Sequence, residues 1–138
     1  MEVSLVRSIL RHYGIQGGQH DQHFLVDEVI LDRIVESANI ASGETVLEIG
    51  AGIGNLTERL LPLAAKVIAI ELDPKLVAVL EDRFKGEEKL QLIHGDVLEV
   101  TLPPFDKVVA NLPYSISSEI TFKLFKHDFK LGILMYQY

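Results

Sequence analysis

The feature of this sequence that most constrains its fold is a regular alternation of short apolar runs and amphipathic segments from residue 45 onward. The apolar runs have the length and composition of strands, and they occupy residues 45–50, 66–72, 90–96, 107–113 and 130–138. Amphipathic stretches of helical period lie at residues 55–64, 74–84 and 117–127, and Pro62 weakens the first of them near its end. Strands that are apolar along their whole length are typical of a parallel sheet with both faces covered. Because crossovers between parallel strands are right-handed, we expect an α/β, doubly wound fold.

The segment before this alternation has a different character. A first helix is predicted over residues 4–12, and a second from Asp27, a favoured capping residue, through about Asn39. The sequence between these helices is rich in glycine and polar residues and is expected to form a loop. We therefore divide the chain into an N-terminal part, residues 1–26, and a core, residues 27–138.

Composition and sequence patterns limit the expected cellular setting. The chain has 138 residues and no cysteine, and it has no apolar run that approaches the ~20 residues of a membrane-spanning helix. We expect no secretory signal peptide, because the sequence opens on Met-Glu-Val without a basic segment or a small-residue cleavage site. These features predict one core domain in the reducing cytoplasm, without a membrane association.

The charge distribution argues against an extended nucleic-acid surface. The formal net charge is −7, and the first lysine is Lys66. Nine acidic residues precede it, against four arginines. A nucleic-acid-binding domain normally has a basic stripe along one face. The best basic cluster here comes late in the chain and consists of Lys123, Lys126, His127 and Lys130.

Three alternating glycines, Gly50, Gly52 and Gly54, follow the first predicted strand and precede a helix. Glycine permits tight turns and lets a ligand approach the backbone closely, although a plain strand-to-helix turn is the alternative. A dinucleotide fingerprint would need a glycine where Asn55 stands. Glu48 begins an E-x-G-x-G-x-G pattern, and an acidic group there would repel a pyrophosphate but suit the cationic S-adenosylmethionine. The turn therefore favours a methyltransferase over a nicotinamide-dependent dehydrogenase.

Two further acidic residues follow the second and third predicted strands. Glu71 lies 21 positions after Gly50, where a carboxylate can accept both hydroxyl protons of a ribose, and we assign the adjacent Leu72 to the same cofactor. Asp96 can accept a proton of the adenine amine, and the Val97 backbone N–H can donate to the ring. Glu71 could instead be a solvated strand-end residue and Asp96 an Asx turn or helix cap. Their common frame with the glycine turn favours the adenosine contacts.

A tetrapeptide at the end of the fourth predicted strand, Asn111-Leu112-Pro113-Tyr114, carries the candidate chemistry, with an ordinary turn as the alternative. The amine of a nucleobase is a poor nucleophile because its lone pair is delocalised into the ring. The Asn111 side-chain oxygen and the Leu112 carbonyl could accept the amine protons, and Asn111 would also contact the cofactor. Pro113 would aim that carbonyl, and Tyr114 could stack on an extruded base. Catalysis would then be mostly positioning for in-line attack, without a dedicated base.

Other polar and aromatic patterns have simpler interpretations. The segment around His20 and His23 lacks the spacing of a recognised zinc site, and we expect no metal. The aromatic and apolar residues of the last predicted helix, Phe122, Leu124 and Phe125, are expected to pack in the core. The run 81–83 is expected to be a solvated helix face.

Five motifs in register resemble the ribosomal RNA adenine N6-dimethyltransferase family of the KsgA type, and most closely its archaeal branch. They are QHFLVD at 22–27, VLEIGAGIGNLT at 46–57, IAIELD at 68–73, HGDV at 94–97 and NLPYSIS at 111–117. The resemblance implies a Rossmann-like class I methyltransferase sheet that uses S-adenosylmethionine to place two methyl groups on adenine N6 of small-subunit ribosomal RNA. It also implies that His23 and Leu25 contact the methionine end of the cofactor beside Gly50, and that Asn111 lies between cofactor and target.

The resemblance also sets expectations for partners and completeness. In that family the catalytic sheet has two further strands, and a helical RNA-binding domain follows. We therefore expect residues 1–26 to form a lid on the cofactor and RNA side, and the core to be incomplete, with an exposed final strand open to self-association. The expected partners are small-subunit ribosomal RNA and the pre-ribosomal small subunit. A DNA adenine or protein glutamine methyltransferase and a non-catalytic binding fragment are the alternatives.

Overall fold

A computed structural model describes residues 28–113, 117–124 and 126–137, with the backbone alone for a few residues near the gaps and the carboxyl end. The helices are α1 (Glu28–Ala38), α2 (Asn55–Leu60), α3 (Pro74–Arg83) and α4 (Ser117–Leu124). The strands are β1 (Thr45–Ile49), β2 (Lys66–Glu71), β3 (Leu90–His94), β4 (Lys107–Pro113) and β5 (Leu131–Gln137). None of the described helices is long and apolar enough to cross a membrane. The predictions for residues 1–27, including the first helix and the Asp27 cap, fall outside the described part.

The described strands form one sheet in the order β3-β2-β1-β4-β5, and every neighbouring pair is parallel. From β1 the chain winds outward through β2 to β3, then crosses back to β4 and winds outward in the other direction to β5. The direction of winding therefore reverses between β1 and β4. This arrangement confirms the α/β, doubly wound fold that the strand and helix pattern predicted.

Both faces of the sheet are covered, because alternate residues of each strand point to opposite sides. One face packs against α1, α2 and α3, and its buried strand residues are Val46, Val67, Ala69 and Val109. The other face packs against α4 and the segment 97–105, and its buried strand residues are Leu47, Ile49, Ile68, Ile70, Val108 and Ala110. Leu124 of α4 belongs to this second cluster, as predicted. The predicted core roles of Phe122 and Phe125 fall outside the described side chains.

Helix α2 is shorter than the sequence pattern predicted, ending at Leu60 and not at residue 64. The cause is Pro62, which has no N–H to donate to the carbonyl four residues before it, that of Glu58. The chain continues as a turn instead, in which the N–H groups of Leu63 and Ala64 both donate to the Leu60 carbonyl, at 3.1 and 3.0 Å. Leu60 and Ala64 are both buried, so the apolar periodicity of this segment reports burial and not the extent of the helix.

A buried ion pair joins the amino ends of β1 and β4, opposite the edge where ligands are expected. Lys107 Nζ lies 2.9 Å from Glu44 Oε1, and both side chains are buried. Glu44 also accepts from the Ala41 N–H at 2.7 Å and lies 3.2 Å from Lys130 Nζ. The Ala41 hydrogen bond and the Lys107 ammonium lower the pKa of Glu44 to about 2. These contacts fix the amino ends of β1 and β4 relative to each other.

Candidate functional site

The predicted site residues that the structure describes lie at or just past the carboxyl ends of β1 to β4. The register of the sheet places Gly50, one residue past β1, between Glu71 of β2 and Asn111 of β4. Glu71 is itself paired with His94 of β3, just before the predicted adenine contacts. This row lies beside the reversal of winding between β1 and β4, where open α/β sheets bind their ligands.

The glycine turn after β1 has a backbone that other residues adopt only with strain. Gly50, Gly52 and Gly54 have φ values of 77, 63 and 95°. The Gly50 N–H donates to the Ile70 carbonyl of β2 at 2.9 Å, which holds the turn against the neighbouring strand. A Cβ on Gly54 would lie 2.5 Å from Phe84 Cε2. The alternation of glycines is therefore required by the local backbone.

Glu71 is a buried carboxylate that fixes the glycine turn to the loop after β2. Its Oε1 accepts from the Gly52 N–H at 2.8 Å, and its Oε2 accepts from the N–H groups of Leu72 and Asp73 at 2.8 and 3.0 Å. The residue is 8% exposed, so the alternative of a solvated strand-end residue is wrong. A carboxylate oxygen can accept two hydrogen bonds, and Oε1 therefore keeps capacity for one further donor, such as a hydroxyl.

Leu72 presents an apolar surface next to this carboxylate. It is 62% exposed, whereas residues 67–71 of β2, which precede it, are buried. Its carbonyl lies 3.1 Å from His94 Nε2, and the Gly95 N–H donates to the Glu71 carbonyl at 3.0 Å. The loops after β2 and β3 are thereby joined, with Leu72 at their surface.

Asp96 forms an Asx turn, which the sequence analysis gave as the alternative to an adenine contact. Its Oδ1 accepts from the Leu98 N–H at 2.9 Å, which is an Asx turn. Its carbonyl accepts from the N–H groups of Glu99 and Val100, both at 2.9 Å. Among the described residues, Oδ2 has no donor and the Val97 N–H has no acceptor. The turn therefore leaves one acceptor and one donor for a ligand.

Glu48 lies beneath the glycine turn and is almost completely buried, at 2% exposure. Its Oε1 accepts a hydrogen bond from the Thr57 hydroxyl of α2. Burial raises the pKa of Glu48 to about 8, the Thr57 hydrogen bond opposes this rise, and the Glu71 charge adds to it. The carboxyl is therefore mostly neutral at pH 7. The assignment of Glu48 to a cationic cofactor stays a prediction, since a bound positive charge would favour the ionised carboxylate.

The first three residues of the tetrapeptide extend β4 and do not form a turn. Asn111, Leu112 and Pro113 pair in register with Met135, Tyr136 and Gln137 of β5. The alternative of an ordinary turn therefore does not apply to these residues. The side chains of 111–113, all of Tyr114, and the predicted cofactor contacts His23 and Leu25 lie outside the described residues, and their roles stay predictions.

Arg83 is a contact of the site region that the sequence analysis missed, because it placed the run 81–83 on a solvated face. Its side chain is 19% exposed, and one guanidinium nitrogen donates to the Ile53 carbonyl within the glycine turn. The other lies 2.9 Å from Glu58 Oε2, and the guanidinium carbon lies 5.2 Å from the centre of the Phe84 ring. Arg83 thus braces the turn from α3. No local pattern signals a contact across 30 positions.

The late basic cluster is divided by the fold. Lys123 Nζ donates to the carbonyls of Val97 and Val100, both at 2.5 Å, and Lys130 pairs with Glu44. Two of its four members therefore bind groups within the chain, although the Lys130 side chain remains 65% exposed. Lys126 is exposed.

Comparison with known proteins identifies a family that fits this geometry. The model of the family described as ribosomal RNA adenine dimethylase matches residues 18–138. A probable ribosomal RNA small subunit methyltransferase A from the archaeon Methanococcoides burtonii is 69% identical over 134 residues, which cover 97% of this chain and 50% of that protein. The corresponding protein of Methanosarcina mazei is 66% identical over 134 residues, covering 97% of this chain and 49% of its own length.

Two solved methyltransferase structures share the fold of this chain. The dimethyladenosine transferase from Plasmodium falciparum superposes with a TM-score of 0.76 at 44% identity, covering 80% of this chain and 42% of that one. The 23S rRNA methyltransferase ErmE gives a TM-score of 0.75 at 30% identity, over 82% of this chain and 47% of its own. This chain spans about half the length of the curated relatives it matches. With its family model matching residues 18–138, the chain belongs to the ribosomal RNA adenine dimethylase family.

Proposed function

We propose that this chain is the S-adenosylmethionine-binding core of an enzyme that dimethylates adenine N6 in small-subunit ribosomal RNA. The observation that carries the proposal is the row formed by the glycine turn, Glu71, the loop at Asp96 and the backbone of Asn111 at one edge of the sheet. The names of the relatives, ribosomal RNA small subunit methyltransferase A and dimethyladenosine transferase, support the substrate class.

The chemistry available at this edge fits the adenosine part of the cofactor. Glu71 Oε1 has capacity for a ribose hydroxyl, and the exposed Leu72 side chain can cover the face of an adenine ring. Asp96 Oδ2 can accept from the adenine amine, and the Val97 N–H can donate to a ring nitrogen. Each of these polar groups has hydrogen-bonding capacity that its contacts with other described residues do not use.

We assign the methionine end of the cofactor to Glu48, Gly50 and Gly52, together with His23 and Leu25 of the N-terminal part. The two glycines have positive φ and carry no Cβ, so a cofactor could approach their backbone closely. Glu48 of β1 accepts a hydrogen bond from Thr57 of α2 and so joins the two elements that flank the turn. When bound, S-adenosylmethionine supplies an electrophilic methyl group, and these residues hold and orient it.

The target adenine is assigned to the end of β4. The Asn111 side-chain oxygen and the Leu112 carbonyl would accept the protons of the adenine amine, which exposes the nitrogen lone pair for in-line attack. Pro113 would hold the direction of that carbonyl, and Tyr114 would stack on the base once it has left its helix. The methylated amine is acidic enough to lose its proton without a dedicated base, so the residues contribute mainly by positioning.

The proposal extends to partners and organisation. The RNA would be presented within the pre-ribosomal small subunit in the cytoplasm, with residues 1–26 as a lid over the site. In the described sheet β5 pairs only with β4, so its second edge has no strand partner there. Self-association would use this edge, and sedimentation measurements at increasing concentration test it.

Calorimetric titration tests the cofactor assignment directly. S-adenosylmethionine is expected to give a binding isotherm, and NADH none; the reverse result would end the methyltransferase interpretation. Methyl transfer to small ribosomal subunits that lack the modification, compared between this chain and an extended one, tests the substrate. Transfer to duplex DNA or to a glutamine peptide in place of ribosomal RNA would favour the alternative amine methyltransferases. Cofactor binding without transfer by either chain would favour a non-catalytic module.

A further inference from the structure

Lys123 of α4 reaches across to the loop that follows β3. Its Nζ lies 2.5 Å from the Val97 carbonyl oxygen and 2.5 Å from that of Val100. Within the described part of the chain, no carboxylate oxygen lies within 4.0 Å of this ammonium, whereas Lys107 and Lys130 both pair with Glu44. Removing a charge from water costs free energy, which the two hydrogen bonds to carbonyls offset. An apolar side chain could fill the space but could not hold these carbonyls.

One peptide group connects Lys123 to Asp96. The Val97 carbonyl belongs to the same peptide as the Leu98 N–H, and that N–H donates to Asp96 Oδ1 at 2.9 Å. A hydrogen bond to the carbonyl oxygen polarises the amide and strengthens donation by its N–H. The ammonium therefore acts on the carboxylate through the intervening peptide, and it fixes the plane of that peptide.

The other contacts of this loop hold it from the opposite side. The Gly95 N–H donates to the Glu71 carbonyl at 3.0 Å, and a Cβ on Gly95 would lie 2.6 Å from Val100 Cγ1. The Gly95 hydrogen bond joins the loop to β2, and Val100 packs so close to Gly95 that a side chain there would clash. Lys123 adds the attachment to α4, the helix that follows the tetrapeptide of the target site.

We propose that Lys123 is a positioning residue for the adenine end of the cofactor: it holds the 96–100 loop so that Asp96 Oδ2 and the Val97 N–H face the base. This inference rests on the proposed function, since it assigns that loop to adenine. It also removes Lys123 from the RNA-binding role that its place in the late basic cluster suggested.

The test separates recognition of the base from general stability. Lys123→Met keeps the length and apolar stem of the side chain but removes its donors, and Lys123→Arg keeps donors. Lys126→Met is the matched control, because Lys126 is an exposed lysine three residues along the same segment. Calorimetry measures the affinity of each protein for S-adenosylhomocysteine and for S-inosylhomocysteine, in which a carbonyl replaces the adenine amine. Thermal unfolding shows whether each variant is folded. If Lys123→Met does not fold, Lys123→Gln is measured in its place.

We expect the wild-type chain and Lys126→Met to prefer S-adenosylhomocysteine over the inosine analogue by about tenfold or more. Lys123→Met should weaken S-adenosylhomocysteine binding by about tenfold while changing the analogue little, so that the preference approaches unity. Lys123→Arg should retain most of the preference. An equal loss for both ligands, or no loss, would overturn the role of Lys123. A wild-type chain that binds neither ligand would refute the cofactor assignment itself, which is a distinguishable result.

Discussion

Replacing Glu48 with glutamine is expected to change how the stability of this chain depends on pH. Glutamine keeps the shape of the side chain and can still hydrogen-bond to the Thr57 hydroxyl, but it does not titrate. Burial raises the pKa of Glu48 from 4.5 to about 8 in the folded state. The unfolded chain releases this proton above its ordinary pKa, and the folded chain holds it. The contribution of Glu48 is therefore fully present below pH 4.5 and is lost as pH rises to about 8.

The size of this loss follows from the two pKa values. A difference of 3.5 between 4.5 and about 8 corresponds to roughly 5 kcal/mol, at about 1.36 kcal/mol for each unit. Most of it, about 3–4 kcal/mol, falls between pH 5 and pH 8. Glu44 contributes little in this window: its pKa falls from 4.5 to about 2 on folding, so its effect on stability lies mainly below pH 5.

Urea unfolding at pH 5, 6, 7 and 8 measures the effect. The free energy of unfolding of Glu48→Gln, relative to wild type, should rise by about 3–4 kcal/mol across this range. Glu81→Gln, on the exposed face of α3, is the matched control and should follow the wild-type curve. If the Glu48→Gln and wild-type curves run parallel within about 0.5 kcal/mol, Glu48 is not protonated in the folded chain and the reasoning fails.

Three other changes test the contacts of the fold and site. Gly54→Ala should destabilise the chain by about 1–3 kcal/mol in urea unfolding, because of the positive φ and the Phe84 contact, whereas Gly43→Ala has open space and should be close to neutral; equal effects would contradict this. Lys107→Met should destabilise the chain most above pH 4.5, and the difference from wild type in thermal unfolding should shrink toward pH 2 as Glu44 becomes protonated; a difference independent of pH would argue against the ion pair. Asn111→Ala should abolish methyl transfer to ribosomal subunits while calorimetry shows most of the cofactor affinity retained; unchanged turnover would refute its assigned role.

The local elements were predictable because each depends on neighbours in sequence. Asp73 and Pro74 mark the start of α3, and the Asp73 side chain accepts from the Lys75 N–H at 2.9 Å, as a cap does. The alternating glycines likewise report a backbone requirement at their own positions. Apolar periodicity does not predict the end of α2, because it continues through Ala64 although Pro62 interrupts the helical hydrogen bonding.

The partners of charged side chains were not predictable in this way. Lys123 and Lys130 look alike in the sequence, yet one binds loop carbonyls and the other pairs with Glu44. Glu48 reads as an acidic residue of a motif, whereas burial makes it mostly neutral at pH 7. These outcomes depend on which groups the fold places nearby and on how much water it removes.

The sequence by itself determined that the chain alternates strands and helices, where the glycine turn lies, and which family it belongs to. These features depend on hydrophobic period and backbone preference, which neighbouring residues encode. Only the tertiary structure decided that Glu71 holds the glycine turn, that Lys107 pairs with Glu44, and that Lys123 turns inward to the 96–100 loop. Each of these contacts joins residues at least 19 positions apart. Strand order and helix packing bring such residues together, and no local pattern specifies that proximity.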